Sequence, residues 1–171
     1  MGPVDSSPRR TRLAALARRL VPEASRFPVR PRLEGRDWYL LMATRDMEAW
    51  VIHWPPGGSI ELHDHGGSAA GIVVMQGRLL ERSVCREGSS VRSIVTRLSP
   101  GDSLELREDH IHDIVGLGPE IATTVHLYTP RLRSMTFYSL VGDRIEPMRT
   151  VRYWEPTGDR AVMSSPSLPR A

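Results

Sequence analysis

The chain has 171 residues, enough for one domain with a buried core, and 40% of them are hydrophobic, an ordinary share for a soluble protein. Its formal charge of +3 comes from 23 basic residues set among 20 acidic ones, scattered rather than gathered into the stripe a nucleic-acid face requires. No apolar run approaches the roughly 18 residues a membrane helix needs, and the lone Cys85 excludes an internal disulfide and a cysteine-rich zinc site.

Any metal must therefore be held by histidines and carboxylates. Every basic residue is arginine, and lysine and asparagine are absent. That is the mark of GC-rich coding, so single arginines are weak signals.

In chain order, Ser7-Pro8 reads as an N-cap followed by proline at the first helical position. Leu13, Leu16, Ala17 and Leu20 recur at helical spacing, so an amphipathic helix is expected to about Leu20, ended by Pro22. Arg9 and Arg10 precede an apolar stretch too short, and too soon broken by Arg18 and Arg19, to be a twin-arginine leader. The expected location is cytoplasmic. This helix and an extended arm make up residues 1–35.

From residue 36 to 155 the pattern changes to short apolar or alternating runs: 39–43, 50–54, 71–75, 79–84, 91–98, 103–106, 111–115, 121–128, 135–141 and 150–154. Turns separate them at Pro56-Gly57-Gly58, Gly77, Glu87-Gly88, Pro100-Gly101 and Gly142-Asp143. Strands at such regular spacing predict an all-β barrel or sandwich. Residues 156–171, rich in Ser, Pro and Gly, read as a flexible tail.

There are six histidines. On a strand, residues i and i+2 face the same way, so His63 and His65 of His63-Asp64-His65 can reach one ion. His110 and His112 repeat the spacing near the start of a later strand. His53 reads as a packed or rim histidine.

The order Gly57, His63-x-His65, Gly77, then Pro100-Gly101 and His112 resembles the two cupin motifs, which imply a jelly-roll-like double-stranded β-barrel with a short N-terminal helix. The glutamate usual after the second histidine is absent, since that stretch reads Gly66-Gly67-Ser68-Ala69-Ala70. Further blocks, Trp54-Pro55-Pro56-Gly57, Gly77-Arg78-Leu79-Leu80-Glu81, His110-Ile111-His112-Asp113 and Thr124-Val125-His126-Leu127-Tyr128-Thr129-Pro130, resemble the cupin-type thiol dioxygenases, the family of cysteine dioxygenase.

That resemblance implies Fe(II) held by His63, His65 and His112. It implies an active-site tyrosine, Tyr128, oriented by His126 and Thr124. A small thiol such as cysteine or 3-mercaptopropionate and O₂ are the implied partners, with a sulfinic acid as product.

The chain departs from the family in three places. Ala70 stands where a cysteine crosslinks to the tyrosine in animal members. Gly116 replaces an asparagine. Trp38 falls where the arginine that clamps the substrate carboxylate is expected, so Arg36, Arg131 and Arg133 are the candidates to supply that charge, or Trp38 instead packs on an apolar thiol or faces a cationic group, with Trp38, Val73 and Met75 walling the pocket. The missing arginine also leaves open a specialised metabolite thiol. A three-histidine site suits Zn or Ni as well, which keeps open a non-enzymatic cupin that binds metal and a small molecule.

Overall fold

The runs after residue 36 form strands. The computed structural model of the protein describes residues 13–29, 36–88 and 90–153, and among them eleven strands lie in two antiparallel sheets. One sheet has the order β1 (Asp37–Ala43), β2 (Glu48–Trp54), β9 (Ala122–Thr129), β4 (Ala69–Gln76), β7 (Ser103–Leu106). The other has the order β11 (Arg144–Arg152), β10 (Ser134–Val141), β3 (Ser59–His63), β8 (Ile111–Leu117), β5 (Arg78–Glu87), β6 (Ser90–Leu98). Ile52, Trp54, Ile60, Ile72, Leu79, Ile114, Tyr128 and Phe137 belong to one core cluster drawn from both sheets, because alternate side chains of the strands that carry them point inward.

The first sheet is buried on its outer face too. Helices α1 (Leu13–Arg19) and α2 (Val21–Ala24) lay Leu13, Ala17 and Ala24 against Ala49, Val51, Val73, Val125 and Leu127. Two features fix α1 there. Gly71 lets the backbone of Leu13 and Ala14 touch β4, where any Cβ would overlap it. The Glu105 carboxylate accepts the Leu13 and Ala14 N–H groups at 2.7 and 2.9 Å, a favourable place for an anion beside first-turn N–H groups.

The outer cover corrects one expectation. Val73 and Met75 pack in the helix-side cluster and do not wall the barrel interior, whereas Ile72 and Val74 do face it. When both faces of a sheet are apolar, hydrophobicity no longer tells in from out.

Three boundaries also differ from the sequence reading. Pro22 does not simply end a helix but occupies the first turn of α2, where its missing N–H costs nothing. Strand β3 falls between the runs read from the sequence, and β11 begins at Arg144, because its first half is exposed at every residue but Ile145 and so carries no apolar alternation. The Ser7-Pro8 cap and the tail lie outside the described residues. No helix among the described residues is long and apolar enough to cross a membrane.

Candidate metal centre

His63 closes β3 and sits opposite His112 of β8 in the ladder. His65 is not on a strand: β3 stops at His63, and His65 lies in the turn that leads to β4. The i, i+2 pleat argument therefore does not bring the pair together; the turn does. The three rings nonetheless meet, with centroids 5.1 Å (His63–His65), 4.8 Å (His63–His112) and 5.1 Å (His65–His112) apart. One nitrogen of each lies within 4.8 Å of the others.

Hydrogen bonding assigns which nitrogens are free. His63 Nδ1–H donates to the Glu61 carbonyl at 2.7 Å, and His112 Nδ1–H donates to Glu81 Oε1 at 3.0 Å. Both acceptors lack a proton, so each ring must carry its proton on Nδ1 and turn the Nε2 lone pair inward. Both nitrogens of His65 are buried with no partner among the described residues, a costly state for an imidazole unless something else coordinates it.

Burial first, and then mutual repulsion among the histidines, pushes the pKa of His63 and His65 well below the ordinary value. Burial likewise lowers that of His112 despite Glu81. Three neutral imidazoles with convergent lone pairs fit a divalent transition metal, and the absence of a carboxylate among the three leaves the ion's full charge available to an anionic ligand.

Glu81, on β5, joins the site although the sequence reading does not single it out, even within one of the quoted blocks. Its Oε1 accepts hydrogen bonds from both His110 Nε2 and His112 Nδ1 at 3.0 Å. Burial alone would raise its pKa, but the two histidines outweigh that and hold it at about 2. A carboxylate behind a ligating histidine fixes the ring and increases its basicity. His110 is thus the outer member of this group, half-buried beside β8.

Across the barrel, alternate residues of β9 form a relay. Trp54 Nε1–H donates to Thr124 Oγ1 at 2.9 Å. Thr124 Oγ1 meets His126 Nε2 at 2.9 Å, and His126 Nδ1 meets the Tyr128 hydroxyl at 3.1 Å. Thr124 is 0% exposed, so its hydroxyl proton needs an acceptor, and His126 Nε2 is the one the structure supplies. The His126 proton then sits on Nδ1 and is donated to the Tyr128 oxygen, which leaves the Tyr128 O–H free to donate elsewhere. Burial first, and then electrostatic opposition from His112 and Arg36 to a further positive charge, lower the His126 pKa to about 3 and hold the ring neutral. Burial pushes the Tyr128 phenol well above its usual pKa, so it remains a donor. The Tyr128 ring lies 5.3 Å from that of His65.

The Arg36 guanidinium stacks 5.0 Å from the Trp54 ring centroid and 5.5 Å from that of Trp38. Desolvation lowers its pKa to about 10, partly offset by Tyr153 and Tyr128, so it stays cationic at neutral pH. Trp38 packs at the edge of the interior cluster. Arg131 is paired, its Nε donating to the buried Glu48 at 3.2 Å.

His53 lies away from the centre, bonded through Nδ1 to Thr123 and packed edge-on to Tyr39. Ala70 is the direct cross-strand partner of Tyr128. Gly116 is dictated by packing: a Cβ there would come within 2.8 Å of the Pro55 carbonyl oxygen, so the asparagine side chain has no room.

Solved structures share this architecture. The TT1209 protein from Thermus thermophilus is 19% identical with a TM-score of 0.51, covering 60% of this chain and 90% of that one. The Cnp3 cupin domain of Schizosaccharomyces pombe is 12% identical with a TM-score of 0.50, covering 60% and 64%. A recombinant oxalate oxidase in complex with glycolate is 15% identical with a TM-score of 0.55, covering 67% and 61%. At these identities the likeness establishes the cupin fold alone. The profile of the family described as cysteine dioxygenase type I matches residues 30–140, a span that includes His63, His65, His112, the Thr124-His126-Tyr128 relay and Arg36. With well over half its length matched, the chain belongs to the cysteine dioxygenase type I family.

Proposed function

We propose that this protein is an iron-dependent thiol dioxygenase that converts a small carboxylate-bearing thiol, such as cysteine or 3-mercaptopropionate, to its sulfinic acid. The observation that carries the reading is the meeting of three neutral imidazoles with free lone pairs and no carboxylate among them. His63, His65 and His112 would hold the ion. Iron, when bound, would supply the redox chemistry by which sulfur loses four electrons, O₂ accepts them, and both oxygen atoms end on sulfur without an external reductant.

The chain's own residues supply binding and geometry. Arg36, a desolvated cation with two tryptophan rings and no carboxylate partner among the described residues, is suited to the substrate carboxylate, with Trp38 fixing its plane. Arg131, paired with Glu48, braces the chain after Thr129. Tyr128, with its O–H freed by the His126–Thr124 relay, is the donor for oxygen or substrate heteroatoms beside His65. The apolar interior limits water.

The test is anaerobic loading with Fe(II), then O₂ uptake with cysteine, 3-mercaptopropionate and cysteamine, and mass spectrometry of the product. Thiol-dependent uptake with a gain of two oxygens on sulfur is expected. Absence of uptake across the panel, with tight retention of Zn instead, would favour a metal-binding cupin without catalysis.

A further inference from the structure

Since the pleat does not deliver His65, another part of the molecule must hold it. His63 and His112 are each oriented by a hydrogen bond on Nδ1, whereas the His65 ring has none among the described residues. Its position depends on its backbone and on ring contacts with its neighbours. The next residue back, Asp64, points away from the centre and is bound on every side. Its N–H donates to the Thr136 carbonyl at 3.0 Å. Its Oδ1 accepts from Gly66 N–H at 3.0 Å and from Thr136 N–H at 2.9 Å. Its Oδ2 accepts from the Tyr138 hydroxyl at 2.7 Å.

The ladder between β3 and β10 contains only the pair Phe137↔His63. The Asp64 carboxylate therefore continues by side chain what the backbone ladder leaves off, occupying both backbone polar groups of Thr136 together with its own N–H. On the far side of His65, the turn is closed by Gly66 at a φ of +55°, where a Cβ would overlap Ser134, and by Ser68 N–H donating to the His65 carbonyl at 3.0 Å. The Asp64–Gly66 bond is an Asx-turn, which sets the backbone without help from a strand.

We infer that Asp64 and Tyr138 form a clamp that positions His65 for metal binding from outside the metal centre. The inference rests on the three-histidine reading above. Tyr138 is suited to the part because burial, and then Asp64 itself, push its phenol up to about 12, so the hydroxyl stays a donor. Neither residue offers an atom to the ion; each acts through the turn, and both are positioning residues.

The test is a double-mutant cycle read by equilibrium Co(II) titration, followed by the ligand-field absorption of the ion. In the otherwise wild-type chain, Asp64→Ala is expected to weaken Co(II) binding about 10–100-fold, the usual cost of losing an outer partner of a ligand. In a His65→Ala background the same change should cost no more than about twofold, the spread of uncoupled substitutions. Tyr138→Phe should show a smaller loss with the same dependence on His65, and serves if Asp64→Ala does not fold. An equal loss in both backgrounds, or no loss from either substitution, overturns the clamp. Wild-type protein that takes up no Co(II), or uptake indifferent to His65→Ala, overturns the metal centre and the clamp with it.

Discussion

Replacing Thr124 by valine keeps the side chain's volume and deletes the one oxygen on which the β9 relay turns. Thr124 Oγ1 accepts from Trp54 Nε1 and bonds His126 Nε2, each at 2.9 Å, and both partners are buried. A buried polar group left unpaired costs about 1–3 kcal/mol, so the two together cost about 2–6 kcal/mol, against a typical domain stability of roughly 5–15 kcal/mol. No cavity adds to this, because the methyl fills the space of the hydroxyl.

Thr124→Ser is the control: it keeps the oxygen and loses one buried methyl, worth about 1 kcal/mol. Chemical denaturation of the two variants should rank wild type, serine, valine. A loss of about 2 kcal/mol corresponds to a thermal midpoint about 4–8 °C lower. The valine variant also removes the donor that directs the His126 proton to Nδ1, so the Tyr128 hydroxyl turns to His126. Turnover should fall with KM for the thiol little changed. A valine variant within about 0.5 kcal/mol of wild type, or as active as the serine variant, would refute the relay as described.

Other outcomes follow from the same geometry. Glu81→Gln leaves His112 without its anionic partner, and metal affinity by competitive titration should drop about 10–100-fold. Arg36→Met should raise KM for cysteine and 3-mercaptopropionate at least about tenfold while leaving cysteamine, which lacks a carboxylate, unaffected; equal losses for all three would remove Arg36 from substrate binding. Gly71→Ala forces a Cβ into the α1 backbone and should destabilise the fold by about 1–3 kcal/mol, measured by urea denaturation. For the metal-free protein, His126 is neutral when folded down to about pH 3 but protonates near 6.5 when unfolded. The unfolded state thus binds the extra proton in that window, and stability should fall as pH drops from 6.5 towards 3. His126→Gln should flatten part of that slope, and an unchanged slope would contradict the buried neutral state.

The repeated short runs with glycine and proline turns were enough to predict an all-β barrel or sandwich, since each run needs one apolar face inward and each turn a residue that tolerates its backbone; the resemblance to the cupin motifs chose the barrel. The His-x-His spacings marked candidate ligands, and the resemblance to the cupin-type thiol dioxygenases, not the spacing, implied His63, His65 and His112 as the set; alternation along Thr124-Val125-His126-Leu127-Tyr128 placed three side chains on one strand face, because alternation along a regular strand is a local property. Glu81 with His110 and His112 was present as residues but not as a group, since nothing local links β5 to β8.

What tertiary structure alone decided is where locality fails. His65 reaches the centre through a turn tied to β10 by Asp64, an interaction across 72 residues or more of chain. Val73 and Met75 face a helix rather than the pocket, because burial on both faces erases the period-two signal. Arg36, beside an expected arginine position that reads Trp38, lies over Trp54 only because β1 and β2 pair in the register that aligns Trp38 with Ile52. Sequence determines such contacts, but only through the sum of long-range packing, which no window of neighbouring residues contains.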